Sequence, residues 1–307
     1  MAEQHRPAPR IALPEPFTTG PFSVGAARAA GIGEGRLRNP GLVRPFWGVR
    51  AAAEAEDVLA RCQAYLTRAH PAVFFSHLTA ARLHGIRLPF RLLDDDVLDV
   101  AVPSPKRAQQ ARGIRGHKLR LRTGDLVVHG GIPLTSAART WCDIASLLNE
   151  EELLAAGDSL MWHRAPLTDI ERIAAAVTAH RGSAAAALRR ILPELSDRSD
   201  SSPESAFRHR FALAGLPRPA VNLQLFDARG NSVAMPDLSF PEFRESFDYE
   251  GDHHRTDAKT WQSDIQRVRR LAAIGWHHTR AGAADLADSR EVISQLAADL
   301  RRKGWTG

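Results

Sequence analysis

The chain is short of several things, and each shortage removes a class of reading. Its 307 residues include only two cysteines, Cys62 and Cys142. That is too few for a disulfide framework or a thiolate zinc motif, and it suits a reducing cytoplasm. No apolar run approaches the ~20 residues of a membrane-spanning helix, and the polar opening Met1-Ala2-Glu3-Gln4-His5-Arg6 is not a secretory signal. Lysine is scarce: Lys106, Lys118, Lys259 and Lys303 leave 37 of the 41 basic residues as arginine. A GC-rich coding bias produces the same ratio, so the formal charge of +6 points only softly to an anionic partner. Arginine still binds phosphate bidentately wherever it stands.

What is present reads as globular, with 44% hydrophobic and 25% charged residues. The length exceeds what one core usually serves, so two or three domains are expected. The most informative stretch is Met235-Pro236-Asp237-Leu238-Ser239-Phe240, followed after a short turn by Phe247-Asp248-Tyr249-Glu250-Gly251-Asp252-His253-His254. Strand side chains alternate between faces, so Leu238 and Phe240 oppose Asp237, and Phe247 and Tyr249 oppose Asp248 and Glu250. A hairpin through Pro241-Glu242-Phe243 would place the three acids on one polar face. Like charges that close repel unless a cation stands between them, and a hard divalent ion with oxygen ligands answers that need. Mg²⁺, or Mn²⁺ in its place, suits phosphodiester hydrolysis, polarising the phosphate and supplying hydroxide from water. Two amphipathic strands with solvated acids is the plainer alternative.

Along the chain, residues 1–20 read as a Pro-rich disordered tail. Residues 21–52 read as helix, turn, helix and wing: Ser23 caps a helix ended by Gly31, a second piece over 33–38 carries Arg36 and Arg38 outward, and 42–50 forms a two-strand wing bearing Arg44 and Arg50. This is the outline of a winged helix, whose second helix enters the major groove, and it makes those four arginines the candidate nucleic-acid contacts. Residues 53–195 read as an α+β scaffold, with helices over 54–69 and from Ser76, which is expected to cap its helix. His77 and His84, seven apart, read as hydrogen-bonding histidines. The Ser- and Asp-rich stretch 196–202 reads as a linker. After it, 203–307 is expected to run helix, three strands, helix, strand, helix. Its long strands over 221–226 and 232–240 join through Asp227-Ala228-Arg229-Gly230-Asn231.

Two resemblances attach to these residues. Ser23-x-x-x-Ala27-x-x-x-Gly31-Ile32 with Gly48-Val49 is similar to the N-terminal domain of AbiEi-type antitoxins and related regulators, and 54–165 looks like their middle region. Residues 203–290 resemble very-short-patch-repair-endonuclease-like domains of the PD-(D/E)xK, restriction-endonuclease-like superfamily. The matching residues are Ser202-Pro203-Glu204, Ala214-Gly215-Leu216-Pro217, Pro236-Asp237-Leu238, Tyr249-Glu250-Gly251-Asp252-His253-His254, Trp261-x-x-Asp264-Ile265-x-Arg267 and Gly275-Trp276. The fold class so implied is α/β in an α+β multidomain arrangement, ending in an αβββαβ endonuclease-like domain.

The second resemblance implies that Asp237 and Asp248 hold the metal, with Glu250 in the third position of the signature. It further implies that Glu204 supports the ion through water, that His254 rather than His253 activates water or binds phosphate, and that Arg267 offsets charge on the scissile phosphate. Two departures stand out: Glu250 replaces the usual Lys, and the pair Asp248, Glu250 reverses the usual long and short acids. The expectation is a cytoplasmic Mg²⁺-dependent endonuclease that binds DNA, with RNA not excluded and a cognate toxin or repair protein as protein partner. The alternative is a catalytically inactive DNA-binding regulator.

Overall fold

The computed structural model describes residues 13–93, 96–251 and 258–307. The first twelve residues of the expected tail, His253 and His254 lie outside them. The architecture is mixed α/β in two compact units, Met1–Leu83 with Asp94–Ser136, and His84–Leu93 with Ala137–Gly307. The expected scaffold, 53–195, is therefore not one body. Its strands belong with the N-terminal segment and its later helices with the C-terminal one.

The first unit opens with β1 (Phe22–Ser23), α1 (Val24–Ala29), α2 (Glu34–Leu37) and β2 (Val49–Arg50). Ser23 caps α1, its Oγ accepting from the Ala26 N–H at 3.1 Å. Phe17, Phe22, Ala27, Ile32 and Leu37 bury a small core. The expected two-strand wing is reduced to a bridge between Val43 and Ala51, while Val49–Arg50 pairs antiparallel with Phe22–Ser23 instead. Next come α3 (Val58–Leu66), β3 (Phe74–Phe75), α4 (His77–His84), β4 (Leu98–Pro103), β5 (Ile114–Leu119), β6 (Leu126–His129) and β7 (Ile132–Thr135), whose strands form one sheet in the order β5-β4-β3-β7-β6.

Helix α3 starts at Val58 rather than Glu54 because Asp57 takes the Ala60 N–H at 2.8 Å and fixes the first turn there. Ser76 is not the side-chain acceptor at the start of α4. The buried Asp99 of β4 takes the Leu78 N–H at 3.2 Å, and its other oxygen meets His117 Nε2 at 2.8 Å. His77 stacks on His117 with ring centroids 3.8 Å apart.

The second unit begins with α5 (Ala137–Ile144), α6 (Glu150–Leu160), α7 (Ile170–Ala179), α8 (Ala185–Ile191) and α9 (Ser202–Leu213). The stretch 196–202 is not a free linker, because its polar groups are spent inside the unit. The Ser196 N–H donates to Asp158 Oδ1 at 2.8 Å, Ser199 Oγ meets Ser205 Oγ at 2.9 Å, and Trp162 Nε1–H donates to Asp200 Oδ1 at 2.7 Å. The hub is the fully buried Asp158 of α6, ion-paired with the buried Arg208 of α9.

Beyond α9 come β8 (Ala220–Val221), β9 (Leu225–Phe226), β10 (Ser232–Ala234), β11 (Leu238–Phe240), β12 (Glu245–Tyr249), α10 (Ala258–Ala273), β13 (His277–Ala281), α11 (Ala283–Ala287) and α12 (Arg290–Arg302). The two long strands expected over 221–226 and 232–240 are each broken, so β9 and β10 form a separate ribbon. Asn222 has φ +47, outside the strand region, and donates from Nδ2 to Glu204 Oε2 at 2.9 Å. Pro236 lies at the second break, where a missing N–H cannot continue a ladder.

The main sheet runs β13-β12-β11-β8, with β12 and β13 parallel and the other neighbours antiparallel. Leu238, Phe240 and Phe247 point to one side, packing with Phe207 and Phe211 of α9 and Val292, Leu296 and Leu300 of α12. Burial of each such side chain stabilises by about 1.5–3 kcal/mol. By alternation the opposite side carries Asp237, Ser239, Ser246, Asp248, His278 and Arg280.

Candidate active site

The hairpin of β11 and β12 turns through Pro241–Phe243, with Arg244 in the left-handed region at φ +46. Leu238 stands opposite Phe247, so Asp237 and Asp248 fall next to one another. The backbone locks that proximity. The Asp237 N–H donates to Asp248 Oδ1 at 2.9 Å, and the Tyr249 N–H donates to Asp237 Oδ2 at 2.8 Å. Each acid is thus oriented in part by a backbone N–H of the other's strand.

Arg267 of α10 reaches this face. Its Nη2 lies 2.6 Å from Asp248 Oδ2 and also donates to the Met235 carbonyl at 3.0 Å. The Arg267 Nε–H is buried and meets no acceptor among the described residues. Glu204, in the first turn of α9, is buried, its Oε2 accepting from Asn222 Nδ2 and from the Asp200 N–H, each at 2.9 Å. Three acids therefore share the region with one directly bound guanidinium. Burial, then the charges of Asp248 and Glu204, push the Asp237 carboxyl up to about 7, against the Tyr249 N–H and Arg267. Burial likewise raises Glu204, opposed by its hydrogen bonds. A hard divalent ion needs only one or two protein carboxylates and fills its remaining positions with water or phosphate. Asp237 and Asp248 are the adjacent pair of acids on this face.

Glu250 stands apart. It lies beyond the end of β12, 44% of its side chain is exposed, and it is ion-paired with Arg280 of β13. Asp237, Asp248 and Arg267 are brought together and Glu204 is close enough to act on Asp237's charge, whereas Glu250 is turned to a neighbouring cation.

A residue with no role in the sequence reading also lies here. His278 of β13, 4% exposed, places Nε2 3.5 Å from Asp248 Oδ2, with Asp248 itself 7% exposed. Its Nδ1 lies 3.0 Å from Ser246 Oγ. Burial lowers the pKa of the imidazole, opposed by Asp248 and assisted by Arg267 and Arg280. The alternation of 277–281 puts His278 and Arg280 on one face, but only the parallel register between β12 and β13 shows which face that is.

Toward the α12 side, Glu245, His277 and Asp299 form a second polar group. One ligand atom of each lies within 4.8 Å of the other two, a set that could hold a metal ion and the only such trio among the described residues. Glu245 is fully buried and accepts from Lys303 Nζ at 2.8 Å and Thr279 Oγ1 at 3.0 Å, with His277 Nδ1 at 2.8 Å. Asp299 also pairs with Arg302. Protein cations already balance this group.

The candidate nucleic-acid contacts are on the first unit. Arg50 donates from Nε to the Leu37 carbonyl and from Nη1 to that of Val49, both at 2.8 Å, which commits its guanidinium to the end of α2. Arg38 lies 3.8 Å from Glu34, and Arg44 donates to the Arg38 carbonyl at 3.3 Å. Arg36 is half-buried on the four-residue α2. The helix offered to a groove is therefore one turn long. No helix among the described residues is long and apolar enough to cross a membrane.

No family model and no curated protein matches the chain. Among solved structures it is similar to the RV2827C protein from Mycobacterium tuberculosis, at 16% identity over 68% of this chain and 84% of that one, with a TM-score of 0.41.

Proposed function

We propose that the C-terminal segment is a divalent-metal-dependent nuclease domain of the restriction-endonuclease-like kind, acting on DNA that the arginines of the first unit help to hold. The observation that carries the reading is the reciprocal bonding of Asp237 and Asp248, which pre-orients two carboxylates beside a buried arginine donor. When bound, the ion polarises the scissile phosphate and lowers the pKa of an attacking water.

The chain's own residues do the rest. Asp237 and Asp248 would hold the ion, and Glu204, fixed by Asn222, would support it through water. Arg267, whose side chain is 31% exposed, would offset negative charge as it builds on the phosphate. Glu250 serves indirectly by holding Arg280, and His254 stays a candidate for water activation or phosphate binding.

Incubating the purified chain with supercoiled plasmid and Mg²⁺ or Mn²⁺, beside Asp237→Ala, tests this. Wild-type cutting well above that of the variant is expected; equal background cutting removes the enzyme reading.

A second reading rests on the pairing of Asp248 with Arg267 and of Glu250 with Arg280, which neutralises the acids without any ion. On that reading the domain is a DNA-binding module of a regulator or antitoxin-like protein. It predicts a footprint that survives EDTA and weakens steeply with salt, with no cleavage.

A further inference from the structure

The protons around Ser246 determine what His278 offers to Asp248. Ser246 Oγ lies 2.9 Å from the His277 carbonyl oxygen, which can only accept. The single hydroxyl proton is therefore committed there, and Ser246 Oγ must accept at its 3.0 Å contact with His278 Nδ1. That puts a proton on Nδ1, and burial favours the neutral ring, in which Nε2 is the bare nitrogen. Nε2 then presents a lone pair, and it faces Asp248 Oδ2 across 3.5 Å. Two acceptors so placed are a pair of ligands waiting for a shared cation. Donors about 2.1 Å from one ion stand about 3.0 Å apart at an octahedral right angle and about 3.4 Å apart at a tetrahedral one. The oxygen has room for both partners, since Arg267 uses one of its lone pairs and leaves another.

We propose that His278 Nε2 and Asp248 Oδ2 are direct protein ligands of the site's divalent ion. This rests on the metal-site reading above and makes the site selective. An imidazole nitrogen favours Mn²⁺, Co²⁺ or Zn²⁺ over Mg²⁺, which prefers oxygen and sheds water reluctantly. The Ser246 hydroxyl is the positioning group, since it fixes the tautomer that leaves Nε2 bare.

The test is metal binding by the full chain without nucleic acid, with Mn²⁺ as the probe, followed by calorimetry and by pulsed electron paramagnetic resonance for coupling to a coordinated imidazole ¹⁴N. The wild type is expected to show that coupling and to bind Mn²⁺ at least about tenfold more tightly than Mg²⁺. His278→Ala should lose both the coupling and the preference. His277→Ala, which removes the imidazole beside Glu245 and Asp299, should keep both. A wild type that binds Mn²⁺ without nitrogen coupling, or whose coupling survives in His278→Ala, overturns the proposal. Because the wild-type spectrum alone decides the first point, a poorly folded variant does not shelter it. If Asp248→Ala binds Mn²⁺ as the wild type does, the metal-site reading falls too. If it loses binding while His278→Ala does not, only the role of His278 falls.

Discussion

Asp237 shows how a single side chain reports on its site. Its carboxyl rises from an ordinary 3.8 to about 7, chiefly by burial and then by the neighbouring acids. Between those values the folded chain keeps a proton that the unfolded chain has released, so stability without metal falls as pH rises through that window. Asp237→Asn cannot ionise and should flatten the fall. Thermal melts in EDTA across the window are expected to show the wild type losing more than the variant, and parallel curves would contradict the assignment. The same residue was legible from sequence, as was Asp248, because alternation and a proline turn suffice to place two acids on one hairpin face. Glu250 and His278 were not legible. Their partners, Arg280 and Asp248, lie across the parallel pairing of β12 with β13, a contact between segments about thirty residues apart that no local pattern encodes.

Among the elements, the joint between α6 and α9 has the clearest energetic consequence. Asp158, fully buried, accepts from Ser205 Oγ at 2.6 Å and pairs with Arg208, which is 5% exposed. Removing the acid leaves a guanidinium buried without its counter-charge, a change that costs about 3–5 kcal/mol. Urea unfolding of Asp158→Ala should show a loss of that order, and a loss under about 1 kcal/mol would mean that the pair is not buried in solution. This joint also explains why 196–202 misleads when read by composition. Serine and aspartate are what a solvated linker contains, and they are equally what a buried polar network needs. The strands over 221–240 mislead similarly, because Asn222 and Pro236 act on the backbone without disturbing the apolar pattern. By contrast Ser23 and Gly215, at φ +73, mark their helix ends by local chemistry alone.

At the level of the whole molecule, mixed α/β composition in more than one body was readable from length and element order, while the place of division was not. The chain leaves and re-enters each unit, at 83 and 94 and again at 136. The proposed function requires the face carrying Asp237 and Asp248 to bind a divalent ion and cleave phosphodiesters. The most direct measurement is the rate of plasmid nicking as Mn²⁺ is titrated, comparing the wild type with Asp248→Asn at equal concentration. Nicking is expected to rise to saturation with the metal, to stop on EDTA addition and to fall by about 10²-fold or more in the variant. Nicking that is indifferent to EDTA, or equal in the two proteins, would contradict it.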